Sequence, residues 1–510
     1  MSRKASIPSA AARPQWAAVI DDFRRALRVR SADEMHLLLS RYPLHLFLHL
    51  DAAELRTALD VFGDERAVAD GNVTAMRILL HDDPTAAVSA SDLRPSARAG
   101  RAVGVAYMAA LRLQGRHRDA HAVMLHRLPR RSQPMHPIAD SHDGWPQFHA
   151  LQNGLTAIMM GDVSRALSAL EEARWRAITP GLEVITRDAL AKAALVHAAF
   201  GDPAVARALA TQCAAIERST SWAEAKVDVA WAVVEAMLCH DAADARSRLE
   251  KIELSRLGEI WPFYVQAEYR ALDSLGAFAH AAGRLTELTA LPFAFEPGQG
   301  YAGSVLPLMM ALNGIATGDP AAVRRHLADC DQRFALTGIV QALYALQIGA
   351  VPDAIAQALK LRGATRRLRR IELWRLSILG DAHLAAGDMP AAIRALRETA
   401  LLPEPLSSSE LGFFSNELRA VGGAHVAGWP VQESPDPVYM DHLPRRENHL
   451  TEREVEVVRY LNLHASRRDL AEALFVSPNT LKTQLRSIFR KLGATSRDEA
   501  LHEAALRGIL

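Results

Sequence analysis

The sequence predicts an all-α protein in which a long helical-repeat solenoid precedes a small domain of four short helices. Three observations lead to this prediction. Alanine-rich amphipathic segments recur along the chain, glycine-containing turns separate them at a nearly constant spacing, and candidate β-strands are nearly absent. We expect a disordered N-terminus (1–16), the solenoid (17–402), a linker rich in Pro, Gly and Ser (403–448) with Glu410 to Val421 as a candidate further helix, and the C-terminal domain (449–510).

The solenoid prediction depends on a turn that recurs about every 40 residues. Its copies begin at 161, 201, 240, about 279 and 318, and a further copy begins at 387. In Gly161-Asp162 and Gly318-Asp319, for example, the glycine is expected to end one helix in the left-handed conformation, and the next residues begin another. An earlier pair is expected around 107–120 and a shortened one over 349–359. A single helix pair cannot bury its own apolar face, so consecutive pairs must stack.

Composition limits the classes of protein that the chain can belong to. The net charge is +1 in 510 residues, so any affinity for nucleic acid must come from a local basic patch. Cys213, Cys239 and Cys330 are scattered and form no CxxC pair, which favours neither a disulfide framework nor a zinc site. No apolar stretch is long enough to cross a membrane. We therefore expect a soluble cytoplasmic protein without a membrane partner.

A basic amphipathic helix is predicted near the C-terminus, over Ser477 to Leu492. Ser477 is a good N-cap, and Pro478 fits the first helical turn. Apolar residues form one stripe at Leu481, Leu485, Ile488 and Leu492. Between 475 and 497 there is no acidic residue, and the basic residues are Lys482, Arg486, Arg490, Lys491 and Arg497. This chemistry suits a DNA major groove, although by itself it is more typical of a solvated surface helix.

The neighbouring segments favour the DNA-binding interpretation. Thr451 to Glu454 and Ser496 to Glu499 have the form of capping boxes, and Ser466 to Asp469 begins another short helix. Phe475-Val476 makes the turn into the basic helix. Four short helices in about sixty residues, with the second and third joined tightly, predict helix-turn-helix geometry.

Leu450 to about Leu506 closely resembles the LuxR/FixJ-type helix-turn-helix of bacterial transcription regulators, through LTEREVEVVRYL and SRRDLAEALFVSPNTLKTQLRSIFRKLGATSRDEAL. The resemblance implies that Ser477 to Leu492 is the recognition helix. Together with side-chain chemistry it predicts base contacts by Lys482, Thr483, Gln484 and Arg486. Predicted phosphate contacts are Thr480, Arg467, Arg468, Arg490 and Lys491. His464 replaces a usual Gly and Gln484 a frequent His, so the DNA target cannot be copied from a relative.

The repeats resemble tetratricopeptide-type repeats, but loosely. Their period is longer and their aromatic residues are sparser than in that family. The arrangement is similar to the C-terminal half of large LuxR-type proteins of the maltose-regulator family. Their NTPase half is not expected here, because the sequence contains no GxxxxGK[ST] loop.

Other chemical motifs are weak. Gly298 to Gly303 matches GxGxxG but precedes a helical repeat rather than a βαβ unit, so we interpret it as an inter-repeat loop. The pairs His45/His49 and His117/His121 lack a third metal ligand. No GxSxG elbow occurs. The sequence predicts no enzyme, no cofactor and no metal.

The resulting hypothesis is a transcription regulator. Its C-terminal domain would bind promoter double-stranded DNA as a homodimer through the final helix (Arg497 to Arg507), which is the dimer element by resemblance. Its solenoid would sense a small-molecule, peptide or protein effector, and RNA polymerase is a candidate partner. Alternatively, the solenoid is mainly a protein-interaction scaffold and the DNA-binding domain a tether. Eight aromatic residues could line such a surface, although core positions are commoner: Trp175, Trp222, Trp231, Trp261, Tyr264, Tyr301, Tyr344 and Trp374.

Overall fold

The computed structural model describes residues 15–69, 71–80, 101–126, 144–176, 178–431, 450–463, 466–506 and 509–510. Throughout these ranges the regular structure is helical and no β-strand occurs, so the predicted all-α fold is confirmed. None of the helices in the described ranges is long and apolar enough to cross a membrane. The sequence predicts a disordered N-terminus over 1–16; residues 1–14 lie outside the described ranges, and the first helix already begins at Gln15.

The helices follow one another with short connections. Those before the C-terminal domain are α1 (Gln15–Arg28), α2 (Ala32–Arg41), α3 (Pro43–His49), α4 (Ala52–Ala69), α5 (Gly71–Leu80), α6 (Arg101–Leu113), α7 (His117–His126), α8 (Trp145–Met159), α9 (Val163–Trp175), α10 (Glu183–Ala199), α11 (Pro203–Ala214), α12 (Glu224–Leu238), α13 (Ala242–Glu250), α14 (Trp261–Ser274), α15 (Phe278–Thr289), α16 (Val305–Thr317), α17 (Pro320–Ala328), α18 (Ala335–Gln347), α19 (Val351–Thr365), α20 (Arg369–Ala385), α21 (Met389–Arg397) and α22 (Asn416–His425). The C-terminal domain contains α23 (Glu452–Leu463), α24 (Arg467–Ala473), α25 (Pro478–Leu492) and α26 (Arg497–Leu506).

From α8 to α21 the chain forms stacked pairs of helices. The first helix of each pair packs against its own partner and against the first helices of neighbouring pairs, as α10 does with α11 and α12. These first helices are buried along most of their length, whereas a second helix such as α9 buries only Val163, Ala166, Leu170 and Ala173. One apolar core therefore runs from α8 to α20, and buried residues of α21 belong to smaller clusters beside it.

The predicted turn chemistry is largely confirmed. Gly161, Gly318 and Gly387 adopt positive φ angles of 73°, 70° and 76°. Each of these glycines is followed by an aspartate that is the N-cap of the second helix, and two other second helices also have an aspartate N-cap. All five side chains accept a backbone N–H of the first turn: Asp162, Asp202, Asp241, Asp319 and Asp388. The local pattern therefore marks both the end of one helix and the beginning of the next.

Three details of the repeat differ from the prediction. Gly201 does not have a positive φ; a β-carbon there would lie 2.7 Å from Nδ1 of His197, so close packing accounts for this glycine. The turn expected at 279–283 lies earlier, around Gly276, because Gly276 has a φ of 64° and ends α14. The pair expected to be shortened is formed by the full-length helices α18 and α19.

The repeat region extends past its predicted end at 402. Residues 403–431 contain a 3₁₀ segment (Ser408–Phe413) and α22, which packs against α20 and α21. Phe414 and Leu418 are fully buried there, and Arg369 holds Glu410 at 2.6 Å. The linker predicted for 403–448 thus begins too early, because the apolar residues within this Pro- and Ser-rich stretch have a helical surface to pack against. Its remainder, 432–449, lies outside the described residues.

The weak motifs have structural roles. Gly298 to Gly303 forms turns between α15 and α16, and Gly300 donates its N–H to Asp331 at 2.9 Å, as expected for an inter-repeat loop. His45 and His49 contact the carbonyls of Pro180 and Gly181 at 2.9 and 2.7 Å. No metal-binding group of His, Cys, Asp or Glu was found among the described residues.

The aromatic residues are divided between core and surface. Trp261, Tyr264, Tyr301 and Tyr344 are buried, whereas Trp231 and Trp374 are half-buried. Trp175 and Trp222 are exposed. These residues therefore do not form one continuous surface.

Candidate nucleic-acid interface

Helix α25 has the bounds and caps predicted for the recognition helix. The Ser477 hydroxyl accepts the N–H of Thr480 at 3.1 Å, and Gly493 ends the helix with a φ of 71°. The apolar stripe faces inward, so that Leu481, Leu485, Ile488 and Leu492 are all buried. They pack with residues of α23, α24 and α26 in a core separate from that of the repeats. The opposite face of α25 is therefore free to meet solvent.

Three of the four predicted base-contacting residues share that free face. Lys482, Thr483 and Arg486 are exposed, and the Thr483 hydroxyl donates to the carbonyl of Asn479 at 3.1 Å. Gln484 differs, because it is half-buried and its Oε1 is shielded from solvent. The geometry therefore brings two cations and one hydroxyl together on the exposed face of α25.

The predicted phosphate-contacting residues fall into two groups. Thr480, Arg467, Arg468 and Arg490 are exposed, and Arg468 lies 3.2 Å from the exposed Glu472 within its own helix. Lys491 is instead engaged inside the domain, where its Nζ lies 2.6 Å from Oε2 of Glu454. An exposed cation can pair with a phosphate at little cost, whereas Lys491 would first have to leave its carboxylate.

Glu454 is the residue whose importance sequence reasoning missed. Its carboxylate accepts hydrogen bonds from the Thr451 N–H at 2.8 Å and from the Ser487 hydroxyl at 3.0 Å, besides Lys491. Burial raises the pKa of Glu454, but these hydrogen bonds outweigh burial and hold the pKa below its ordinary value. The capping box identified Glu454 as the N-cap partner of Thr451, but not as the residue that ties α23 to α25.

Two arginines also fix the arrangement of the helices. Arg453 donates to the carbonyl of Leu474 at 3.0 Å, and Arg497 donates to the carbonyl of Leu461 at 2.5 Å. Arg497, which the sequence counted in the basic patch, thus joins α26 to α23. At the start of α26, Glu499 accepts the N–H of Thr495 rather than that of Ser496, which departs from the predicted capping box by one residue. His464 lies outside the described residues.

The C-terminal domain contacts the repeat region through the ends of α25 and α26. Arg324 of α17 forms an ion pair with Glu503 of α26 and donates to the carbonyl of Gly493 at 3.1 Å. Gly493 lies against Pro320 so closely that a β-carbon would clash with the proline ring. The contact leaves Lys482, Thr483 and Arg486 exposed.

Comparisons with known proteins concern this domain alone. Residues 448–504 match the family described as bacterial regulatory proteins, luxR family. A Mycobacterium tuberculosis protein named as an HTH-type transcriptional regulator is 46% identical over 59 residues, which is 12% of this chain and 7% of that protein. The transcriptional regulatory protein YdfI of Bacillus subtilis is 44% identical over 66 residues, 13% of this chain and 31% of YdfI.

The CsgBAC operon transcriptional regulatory protein of Escherichia coli is 40% identical over 52 residues, 10% of this chain and 24% of that protein. The aligned segments thus span less than a third of each relative, and the likeness does not reach the repeats. The geometry of α23 to α26 agrees with the family match. Residues 448–504 therefore form a helix-turn-helix domain of the luxR family.

Proposed function

We propose that the chain is a DNA-binding transcriptional regulator in which α25 enters the major groove of promoter DNA. The observation that carries this proposal is the exposure of Lys482, Thr483 and Arg486 on a helix whose opposite face is buried. Lys and Arg can donate to guanine O6 and N7, and Thr can contact either bases or phosphates. Arg467, Arg468 and Arg490 would hold the backbone, and the family match supports this use of the domain.

The electrostatics of the chain favour a local rather than a general affinity for DNA. The net charge of the whole chain is only +1, so the chain as a whole has no large excess of positive charge for non-specific binding. The exposed cations proposed to contact DNA all lie on α24 and α25, within the C-terminal domain. DNA would therefore be recognised by that domain, most strongly as a homodimer on a two-fold site.

The repeat region would act as the sensor that controls DNA binding, with a small molecule, a peptide or a protein as effector. Its contact with the C-terminal domain provides a route for this control. Arg324 holds Glu503 on α26, and by resemblance α26 is the element through which two copies dimerise on DNA. Helix α26 could then either contact the repeats of its own chain or pair with a second copy of the domain. These two arrangements would exclude each other. An effector that binds one arrangement more tightly would lower the population of the other. RNA polymerase is a candidate partner of the DNA-bound form.

Selection of bound sequences from a random DNA library tests this function. The full-length protein and the fragment 445–510 are compared at one salt concentration, because phosphate contacts make affinity depend steeply on salt. We expect both to select the same two-fold motif, and full-length Arg486→Ala to select it weakly or not at all. If neither protein enriches any sequence, DNA recognition by this chain is excluded.

A further inference from the structure

Phe475 lies in the turn between α24 and α25, and its ring contributes little to the packing of the protein. The residue is 96% exposed, more than any other large apolar residue in the described part of the chain. Its backbone φ is 54°, and among the described residues only Arg30 also has a positive φ without being glycine. One residue therefore combines an exposed aromatic ring with a backbone conformation that glycine normally adopts.

The backbone conformation of Phe475 has a local cause. Its N–H donates to the carbonyl of Glu472 at 3.1 Å, and the N–H of Val476 donates to that of Ala471 at 3.0 Å. These hydrogen bonds end α24 in a Schellman motif, in which Val476 packs against the core of the domain. The motif requires a positive φ but no aromatic side chain, since glycine would adopt this φ without strain and without an exposed ring. Folding therefore does not explain the ring, and an outlier of this kind points to function.

The ring lies at the edge of the surface that is proposed to meet DNA. Phe475 precedes the N-cap Ser477 by two residues, and residues 477–480 are all exposed. The hydroxyl oxygens of Ser477 and Thr480 are 2.8 Å apart, and the exposed Lys482 follows on the same helix. A recognition helix contacts base edges mainly through its N-terminal residues, so a side chain at this end of α25 lies beside the DNA.

The repeats leave this end of α25 uncovered. They contact the C-terminal domain at Gly493, which follows the last residue of α25, and at Glu503 on α26. Helix α25 has 15 residues and is therefore about 22 Å long, so its whole length separates Phe475 from Gly493. The ring can consequently meet DNA while the domain remains in contact with the repeats.

We propose that the Phe475 ring packs against the 5-methyl group of a thymine in the major groove and is a specificity-determining residue. The inference rests on the proposed binding of DNA by α25. A phenyl ring has no donor or acceptor for a base edge, and the methyl group of thymine is the apolar feature that the major groove presents. Contact between the two removes apolar surface of both from water. A deoxyribose is also partly apolar but is the same at every base, so only the methyl contact would read sequence.

Replacement of single thymines by deoxyuridine in the selected DNA tests the contact, because uracil pairs like thymine and lacks only the methyl group. Fluorescence anisotropy at fixed salt compares the full-length wild-type protein with full-length Phe475→Gly. We expect one thymine in each half-site at which the replacement weakens wild-type binding by about 4-fold, the value of one buried methyl group. The same replacement should leave the affinity of Phe475→Gly unchanged. If no thymine distinguished the two proteins, the proposal would be overturned.

A second variant and a matched control exclude effects on folding. Phe475→Asn lacks the ring, and asparagine accepts a positive φ better than most residues. Leu401→Gly removes an apolar residue that is 77% exposed in the repeat region. Both Phe475 variants should keep the wild-type midpoint of thermal unfolding and bind the thymine-containing site about 4-fold or more weakly, whereas Leu401→Gly should bind it like the wild type. Wild-type affinity of both Phe475 variants would contradict the proposed contact.

The salt dependence shows whether the loss is apolar. The ring carries no charge, so Phe475→Gly should leave the slope of log affinity against log salt concentration unchanged. A shallower slope would mean that the substitution had displaced phosphate contacts, which would refute a contact by the ring itself.

Two outcomes separate this inference from the proposed function. If the wild-type protein bound its selected DNA but no deoxyuridine replacement weakened binding, DNA recognition would stand and the role of Phe475 would be removed. If the wild-type protein selected no DNA, both would be removed. Analytical ultracentrifugation without DNA should give the same association state for the wild type and Phe475→Gly. A difference would overturn the proposal, because it would assign the ring to a contact between two copies of the chain.

Discussion

Arg324 on α17 and Glu503 on α26 form an ion pair that joins the repeat region to the C-terminal domain. The Glu503 side chain is only 1% exposed, whereas that of Arg324 is 29% exposed. A carboxylate that is buried so completely needs a nearby cation, because its desolvation is otherwise unfavourable. The pair therefore makes the position of α26 sensitive to the position of the repeats.

We expect Arg324→Ala to increase the DNA affinity of the full-length protein by about 5-fold or more, since couplings between sites are usually of that size. The physical reason is that α26 is released for dimerisation. Fluorescence anisotropy with the selected DNA at fixed salt measures the change. Arg325→Ala is the control, because Arg325 has the same charge and is exposed on the same helix. Equal affinities of the two variants would show that the contact does not restrain DNA binding.

The exposed face of α25 predicts a ranking of substitutions. Lys482→Ala and Arg486→Ala should each weaken specific binding by about 1–3 kcal/mol and relax sequence preference at the positions they read. Gln484→Ala should have a smaller effect, because Oε1 of Gln484 is turned away from solvent. Gel-shift titrations against the selected site and a scrambled site provide the comparison. A larger loss from Gln484→Ala than from Arg486→Ala would mean that α25 changes its side-chain arrangement on DNA.

Glu454→Gln should weaken the attachment of α25 to α23. The substitution removes the charge that pairs with Lys491, and we expect a loss on the order of 1–3 kcal/mol in the opening free energy of α25. Amide hydrogen exchange of the full chain measures that free energy. The folded pKa of Glu454 lies below its ordinary value, so its contribution is present near pH 7 and is lost as the pH falls through the folded pKa.

Glu456→Gln is the matched control for Glu454→Gln. Glu456 lies on the same helix, its side chain is 45% exposed, and it forms an ion pair with the half-exposed Arg453. An exposed pair of this kind contributes about 0.5 kcal/mol. If both substitutions changed exchange equally, the hydrogen bonds of Glu454 would not be what fixes α25.

Asp273 gives the repeat region a pH dependence of the opposite sign. Burial raises the pKa of Asp273 to about 6, above its ordinary value of 3.8, while the Tyr269 hydroxyl donates to it at 3.1 Å. The folded state therefore loses stability as the pH rises from about 4 to about 6. Asp273→Asn should stabilise the protein on the order of 1–3 kcal/mol at pH 7.5. It should have little effect at pH 4.

Calorimetric unfolding midpoints at pH 7.5 and pH 4 test the Asp273 prediction. Asp60→Asn is the control, because Asp60 is an exposed aspartate on α4 and receives the same substitution. A lower midpoint for Asp273→Asn at pH 7.5 would show that the carboxylate is favourably paired in the folded state.

The sequence by itself determined the elements whose causes are local. Asp162 and Asp319 begin their helices because a carboxylate two or three residues away can accept first-turn N–H groups, and Gly493 ends α25 because glycine adopts a positive φ without strain. The apolar stripe of α25 predicted its buried face for the same reason, since a helical period depends only on neighbouring residues. The all-α class, the helix pairs and the exposed Lys482 and Arg486 follow from such patterns.

The tertiary structure decided what depends on residues far apart in the chain. Lys491 meets Glu454 across 37 residues, and His117 meets Ala294 across 177 residues, so neither pairing has a local pattern. The burial of Phe414, which extends the repeats past 402, likewise requires a surface formed by other helices. Charge, burial and unmet hydrogen bonds at these sites result from packing between distant segments, because only packing determines which partners a side chain can reach.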